Sequence, residues 1–268
     1  MLIRKSNGVE YLVPGNIDGD KAAAVFATRL GGVSEGATVG SLNLTLSKYD
    51  KLENVRENYA IIARECGFSV NNIIYAHQGH TDKILVADGL AWAGLPLPDD
   101  CVYDAMVTNV PGLVLTARSA DCVPILYYDG ENLAIGAAHC GWRGTVHGLQ
   151  VKTARKMREI YGTDLKGLKA AIGPCISKCC YEVSDDVYDS FVRELGGEAE
   201  AFFTRGKLPG KYMCDLKAVN KFMLARELGE DNIEIAGNCT CCEPGLFYSH
   251  RRDGENRGGH AAFITVLG

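Results

Sequence analysis

At 268 residues, with 47% apolar and 23% charged side chains, the chain has the composition of an ordinary globular protein with a sizeable core, not of a disordered or membrane-spanning one. A net charge of −5 argues against a protein that coats phosphate backbones, because non-specific nucleic-acid binding needs a basic face. Residues 1–15 hold no apolar core of signal-peptide length, and no long apolar stretch runs free of charge, so a cytoplasmic location is expected; eleven cysteines there imply mostly reduced, buried thiols.

Short apolar or β-branched runs bounded by turn residues predict strands at 24–28, 72–76, 83–87, 105–108, 113–116, 123–128, 133–139, 169–172 and 261–267. Segments with helical period predict helices over 52–66, 146–161, 184–195 and 216–228, the second with Thr145 as its N-cap. Many gaps between strands in the first half are too short for crossover helices, which calls for antiparallel or mixed pairing. The reading is one α+β domain over residues 1–268, with helices outside a sheet core. The stretch 90–101, with Pro96, Pro98, Asp99 and Asp100, reads as an exposed loop within it.

Three pieces of sequence carry chemistry at predicted strand ends. His77 and His80 follow the predicted strand 72–76 at a spacing that lets both bind one metal, although a lone pair of this kind is more often structural. Cys122, flanked by Asp121, lies between two apolar strands, where a packed core thiol is the commoner outcome. His139 ends a clean strand, with Gly141 and Gly144 allowing close backbone approach and Arg143 near a helix start, where an anion can be held. Together they make a His/Cys/His set drawn from distant segments, unlike the local cysteine pairs of structural zinc sites. Three protein ligands leave a position open for Lewis-acid chemistry. Such ligands suit zinc, and copper binds them at least as tightly.

Other groups carry less. Arg29 with Gly31 and Gly32 forms a Gly-rich turn able to cradle phosphate, but a plain turn is the more frequent explanation. Arg251, Arg252 and Arg257 crowd one polar loop, where a solvated turn with Asp253 paired to an arginine is expected. Cys175, Cys179 and Cys180, and Cys239, Cys241 and Cys242, invite a second thiolate-rich site. Adjacent cysteines on a strand point to opposite faces, so core packing is preferred, and Cys140 is expected to face away from a metal at His139.

The sequence resembles, over nearly its whole length, the YfiH/DUF152 family of laccase-domain or multicopper polyphenol oxidoreductase proteins. The resemblance rests on Thr28-Arg29-Leu30-Gly31-Gly32-Val33-Ser34, Ser41-Leu42-Asn43-Leu44, Gln78-Gly79-His80 and Ala120-Asp121-Cys122-Val123-Pro124. It continues through His139-Cys140-Gly141-Trp142-Arg143-Gly144, Ile172-Gly173-Pro174-Cys175-Ile176, Cys180-Tyr181-Glu182-Val183 and Ser249-His250-Arg251-Arg252-Asp253-Gly254. It implies an αββα sandwich and metal ligands at His80, Cys122 and His139, which removes His77. It also implies a zinc-dependent purine nucleoside phosphorylase that takes a nucleoside and phosphate, with adenosine deaminase and methylthioadenosine phosphorylase activities alongside.

Under that reading Arg29, Asn43, Arg143 and Arg252 are the candidates to hold phosphate or nucleoside. Two departures stand out: Cys140 replaces the family's usual alanine, and Gly258-Gly259 replaces a Gly-Arg, leaving Arg257 as the substitute cation. The family name implies a rival, a copper-dependent oxidase of phenolic substrates using O2, which needs further ligands from His77, His147, His250, His260 and Cys140. A metal-free hydrolase, with Cys122 as nucleophile, His139 as base and Asp121 orienting it, is a third reading. A non-enzymatic thiol-rich metal store is a fourth.

Overall fold

The computed structural model describes residues 1–94 and 98–267. Its strands are β1 (Leu2–Ser6), β2 (Val9–Val13), β3 (Ala22–Ala27), β4 (Ile84–Val86), β5 (Ala105–Thr108), β6 (Val114–Ser119), β7 (Val123–Asp129), β8 (Ala134–Cys140), β9 (Lys169–Ile172), β10 (Glu182–Ser184), β11 (Phe203–Arg205), β12 (Lys211–Cys214), β13 (Ile233–Ile235) and β14 (His260–Val266). Its α-helices are α1 (Leu52–Cys66), α2 (Trp142–Val146), α3 (Leu149–Tyr161), α4 (Asp185–Leu195), α5 (Leu216–Leu228) and α6 (His250–Asp253).

Two large sheets face each other. One has the order β1-β2-β3-β14-β6 and is antiparallel throughout. The other runs β13-β9-β7-β8-β5-β4 and is mixed, with parallel pairs at β13·β9 and β4·β5. Period-2 alternation sends one side chain of each pair into the space between the sheets: Phe26, Leu115 and Ile264 from the first meet Leu126, Ile135 and Ala171 from the second. The opposite faces are covered by helices. Val55, Tyr59 and Ile62 of α1 pack on Val25, Val114 and Phe263. Residues of α3, α4 and α5, among them Ala154, Met157, Phe191 and Leu224, cover Val107, Ile125 and Tyr127. The expected α+β class and αββα layering are therefore what the chain adopts, and every residue of β5 through β8 is buried because both sheet faces are capped.

The departures have local causes. Of the stretch 72–76, Asn72 ends a 3₁₀ turn and the remainder pairs only through single bridges, Ile73 to Val114 and Ile74 to Gly94, so no strand forms. The helix expected over 146–161 is two helices, broken where Gly148 takes φ +71. Thr145 lies inside α2 and its hydroxyl accepts a hydrogen bond from Asn220, so it does not act as an N-cap. The β1–β2 hairpin turns on Asn7 and Gly8, both at positive φ. That dipeptide is a strong hairpin signal, obscured here by the exposed, mixed polarity of β1. A small sheet β10-β12-β11, with Tyr212 stacked on Tyr188 at 4.2 Å, is built from strands too short to read in advance. Of the loop expected over 90–101, Leu90–Trp92 form a 3₁₀ turn, while Pro96 lies outside the described residues. No helix among the described residues is long and apolar enough to cross a membrane.

Leu126 is fully buried between the sheets, so truncating it removes buried apolar contacts and leaves a cavity. Leu126→Ala is expected to lower the unfolding free energy by about 2–5 kcal/mol, read as a shift of the urea midpoint at unchanged slope.

Candidate metal centre

Three elements bring the ligating atoms together. Cys122 precedes β7, in the turn from β6, and His139 is the penultimate residue of β8, paired across the ladder with Pro124. His80 arrives on the loop before β4 with φ +56, a left-handed conformation uncommon outside glycine. One ligand atom from each of His80, Cys122 and His139 lies within 4.8 Å of the others, and Cys122 Sγ is 3.8 Å from His80 Nε2. A Cβ at position 141 would stand 2.9 Å from His80 Cδ2 and 3.1 Å from Cys122 Sγ, so Gly141 keeps the cradle open. Two imidazoles and a thiolate at this spacing match the donor set and reach that a single zinc ion requires.

The residue that fixes this geometry is Asp104, at the start of β5. Its Oδ1 bonds His139 Nδ1 at 2.9 Å, which leaves Nε2 to point at the shared site. The same carboxylate accepts from the amides of Gly79, His80 and Thr81 and from the Thr81 hydroxyl, at 2.7–3.1 Å. The backbone carbonyl of Asp104 also takes the amide of His139. One buried acid thus clamps two of the three candidate ligands. Sequence reading missed it, since a single Asp ahead of a short strand carries no local mark of its role.

The electrostatics follow from the crowding. Burial drives the Cys122 thiol up, but the charge on His139 and hydrogen bonds from His139 and His80 outweigh it and bring the thiol down to about 6. Burial pushes His139 down, yet the Cys122 thiolate and Asp104 raise it to about 9. Asp104, despite its burial, is held at about 2 by His139 and Thr81. The thiol is therefore poised to be the thiolate that a metal takes.

A cleft beside this group is lined by Thr45, Gln78, Arg118, Ser119 and Arg257. Arg118 lies over the Tyr75 ring and donates from Nη2 to the Ala76 carbonyl, while its Nη1 is buried with no partner. Arg257 Nε is likewise buried and unpartnered. Each of these cleft-lining side chains thus holds a buried nitrogen that no protein group satisfies, and Arg257 is the residue named above as the substitute cation.

The other sequence candidates have different placements. Arg29 spends its nitrogens on the carbonyls of Ala37, Gly40 and Pro244, and Arg252 spends its own on the carbonyls of Thr240, Cys241 and Phe247 and on Asp253. Asn43 is buried, holding Thr45 and the Gly259 amide. Arg143 is exposed over Trp142. None of the four lines the cleft. Asp121, expected to orient His139, instead accepts from the Thr240 hydroxyl and the Arg251 amide, and Asp104 occupies the orienting position. His77, His147, His250, His260 and Cys140 join no group of three or more potential ligands among the described residues. Cys140 is buried in the apolar core on the helix side of its sheet, facing away from the site.

A double sheet wrapped in helices, with a His/Cys/His group at the ends of its inner strands, defines the class. Residues 23–267 match the family model described as multi-copper polyphenol oxidoreductase laccase, and the chain belongs to that family. It is similar to the purine nucleoside phosphorylase YlmD of Bacillus subtilis (strain 168), at 34% identity over 255 residues covering 94% of this chain and 91% of the relative. It is also 32% identical to the purine nucleoside phosphorylase LACC1 of Mus musculus over 248 residues, 90% of this chain; there it spans only 55% of the relative's length. The crystal structure of YlmD from Geobacillus stearothermophilus superposes with a TM-score of 0.89 at 30% identity, covering 99% of this chain and 98% of that one.

Asp104→Asn preserves shape but turns one acceptor oxygen into a donor facing amides. It is expected to weaken zinc binding about 10–100-fold in chelator competition, with the far-ultraviolet dichroism retained; unchanged affinity would remove Asp104 from its positioning role.

Proposed function

We propose that the chain, acting as one catalytic domain over residues 1–268, is a zinc-dependent purine nucleoside phosphorylase of the cytoplasm, with His80, Cys122 and His139 holding the metal. The observation that carries the reading is the pairing of this ligand group with two arginines, Arg118 and Arg257, that line its cleft and each keep a buried guanidinium nitrogen without a protein partner. Relatives named for this activity support it. Arg118 and Arg257 replace Arg29, Asn43, Arg143 and Arg252 as the side chains assigned to the anion, because the latter four are engaged or turned elsewhere.

In the reaction a phosphate oxygen forms a bond to the anomeric carbon of the ribose as the glycosidic carbon–nitrogen bond breaks. The electron pair leaves with the purine, which takes up a proton, giving the free base and ribose 1-phosphate. Arg118 and Arg257 bind the phosphate and hold it beside the sugar, replacing water with fixed donors that need no reorganisation. Asp104 keeps His139 and the His80 loop in register throughout. When bound, zinc supplies Lewis-acid stabilisation of negative charge that develops next to it. The apolar packing of Arg118 on Tyr75 fixes the guanidinium plane, so its geometry does not depend on substrate.

The test is release of hypoxanthine from inosine, which is expected only when phosphate is present. His80→Ala is expected to abolish both bound metal and turnover while the protein stays folded; full activity without metal would reject the ligand assignment. Arg257→Ala removes a charge-assisted hydrogen bond worth about 1.5–3 kcal/mol, so the KM for phosphate is expected to rise roughly 10–100-fold. An unchanged phosphate KM would exclude Arg257 from the anion site.

A further inference from the structure

A second set of potential ligands lies outside the site just described. Cys179, Cys180, Cys239 and Cys242 place their four Sγ atoms within 4.8 Å of one another. The closest pairs are 3.3 Å for Cys180 and Cys242, 3.5 Å for Cys179 and Cys242, and 3.7 Å for Cys179 with both Cys180 and Cys239. A zinc ion with metal–sulfur distances of about 2.3 Å in a tetrahedron sets its sulfurs about 3.8 Å apart. The spacing is too tight to enclose several metals.

Core packing does not explain the cluster. Cys179 and Cys242 are exposed and Cys180 is half-buried, while only Cys239 is buried. The expectation that neighbouring cysteines diverge assumed strands, and here both segments are turns. Residues 178–180 form a turn closed by the amides of Cys180 and Tyr181 on the Ser177 carbonyl, which brings adjacent thiols to one side. Cys239 and Cys242, with two residues between them, sit on a second turn at the spacing of a zinc knuckle. The amide of Ser177 donates to the Cys239 sulfur at 3.3 Å, as it would to stabilise a thiolate.

We propose that these four cysteines form a tetrathiolate site that holds one zinc ion. It closes all four positions and so serves structure, in contrast to the open His/Cys/His site. Its two turns are the ones that anchor Asp121 beside Cys122: Thr240 donates to its carboxylate, and its carbonyl takes the Ile176 amide. The ion would staple the 175–181 and 238–243 segments to each other behind the catalytic ligands. This inference does not rest on the phosphorylase reading, and its readout needs no turnover.

The test loads the full-length wild type and His80→Ala with zinc under reducing, oxygen-free conditions, removes free metal, and counts zinc per chain. About two ions are expected in the wild type and about one in His80→Ala, whose X-ray absorption should show a sulfur-only shell. Cys179→Ser and Cys242→Ser, each placed in the His80→Ala chain, are expected to lose that last ion. Bound zinc should also shield Cys179 and Cys242 of the unmutated cluster from iodoacetamide. A folded His80→Ala that binds no zinc, a shell containing nitrogen or oxygen, or equal alkylation with and without zinc would overturn the proposal. A chain mass showing disulfides among these cysteines after oxygen-free purification would overturn it as well.

Discussion

The carboxylate of Asp104 is the constraint on which the candidate centre depends. It sits at the mouth of β5, where the sheet hands over to loops, and one side chain there meets a strand residue and a loop at once. Its bond to His139 Nδ1 selects the tautomer that leaves Nε2 free, and its bonds to the amides of residues 79–81 stabilise a loop conformation with His80 at positive φ. A neutral side chain could not compensate that many donors in a buried place, because each unpaired amide would keep its desolvation cost. The strain at His80 and the burial of Asp104 are therefore two halves of one arrangement.

Around it, the sandwich supplies rigidity. Strands β7 and β8 are buried on both faces, so Cys122 and His139 leave the sheet from backbones that cannot shift without disturbing both the intersheet core and the helix-covered face. The cleft wall is firm for a related reason. Arg118 is pinned between the Tyr75 ring and the Ala76 carbonyl, and Asn43 ties Thr45 to the C-terminal segment through the Gly259 amide. Side chains that looked like anion binders from their motifs prove to be struts: Arg29 and Arg252 saturate backbone carbonyls of loops that regular secondary structure leaves unsatisfied. Fixed cations satisfied in this way have little left to offer a substrate. Arg118 and Arg257 differ in keeping an N–H in reserve.

The two groups of potential ligands differ in closure. Three donors from distant strands and loops leave a face open beside a cationic cleft. Four thiols from two facing turns enclose their centre. Asp121 connects them, since the residue next to Cys122 is held by the turns that carry the thiols.

Much was written locally. The helices 52–66 and 216–228 and the strands 105–108 and 169–172 follow from apolar period and turn residues, and the tertiary structure keeps their ends. His80, Cys122 and His139 were picked out as candidate ligands through motifs, because a donor's chemistry resides in its own side chain, and the fold brings the three together. What needed the fold was everything that depends on partners distant in sequence. Asp104 acquires its role from segments 35 residues downstream and over twenty upstream; the distinction between strut and free arginine rests on which carbonyls lie within reach; and the convergence of Cys179, Cys180, Cys239 and Cys242 exists because two turns sixty residues apart face each other. Sequence specifies which groups can ligate or bind, and burial and hydrogen-bond partnership, which are properties of the packed chain, decide which of them remain free to do so.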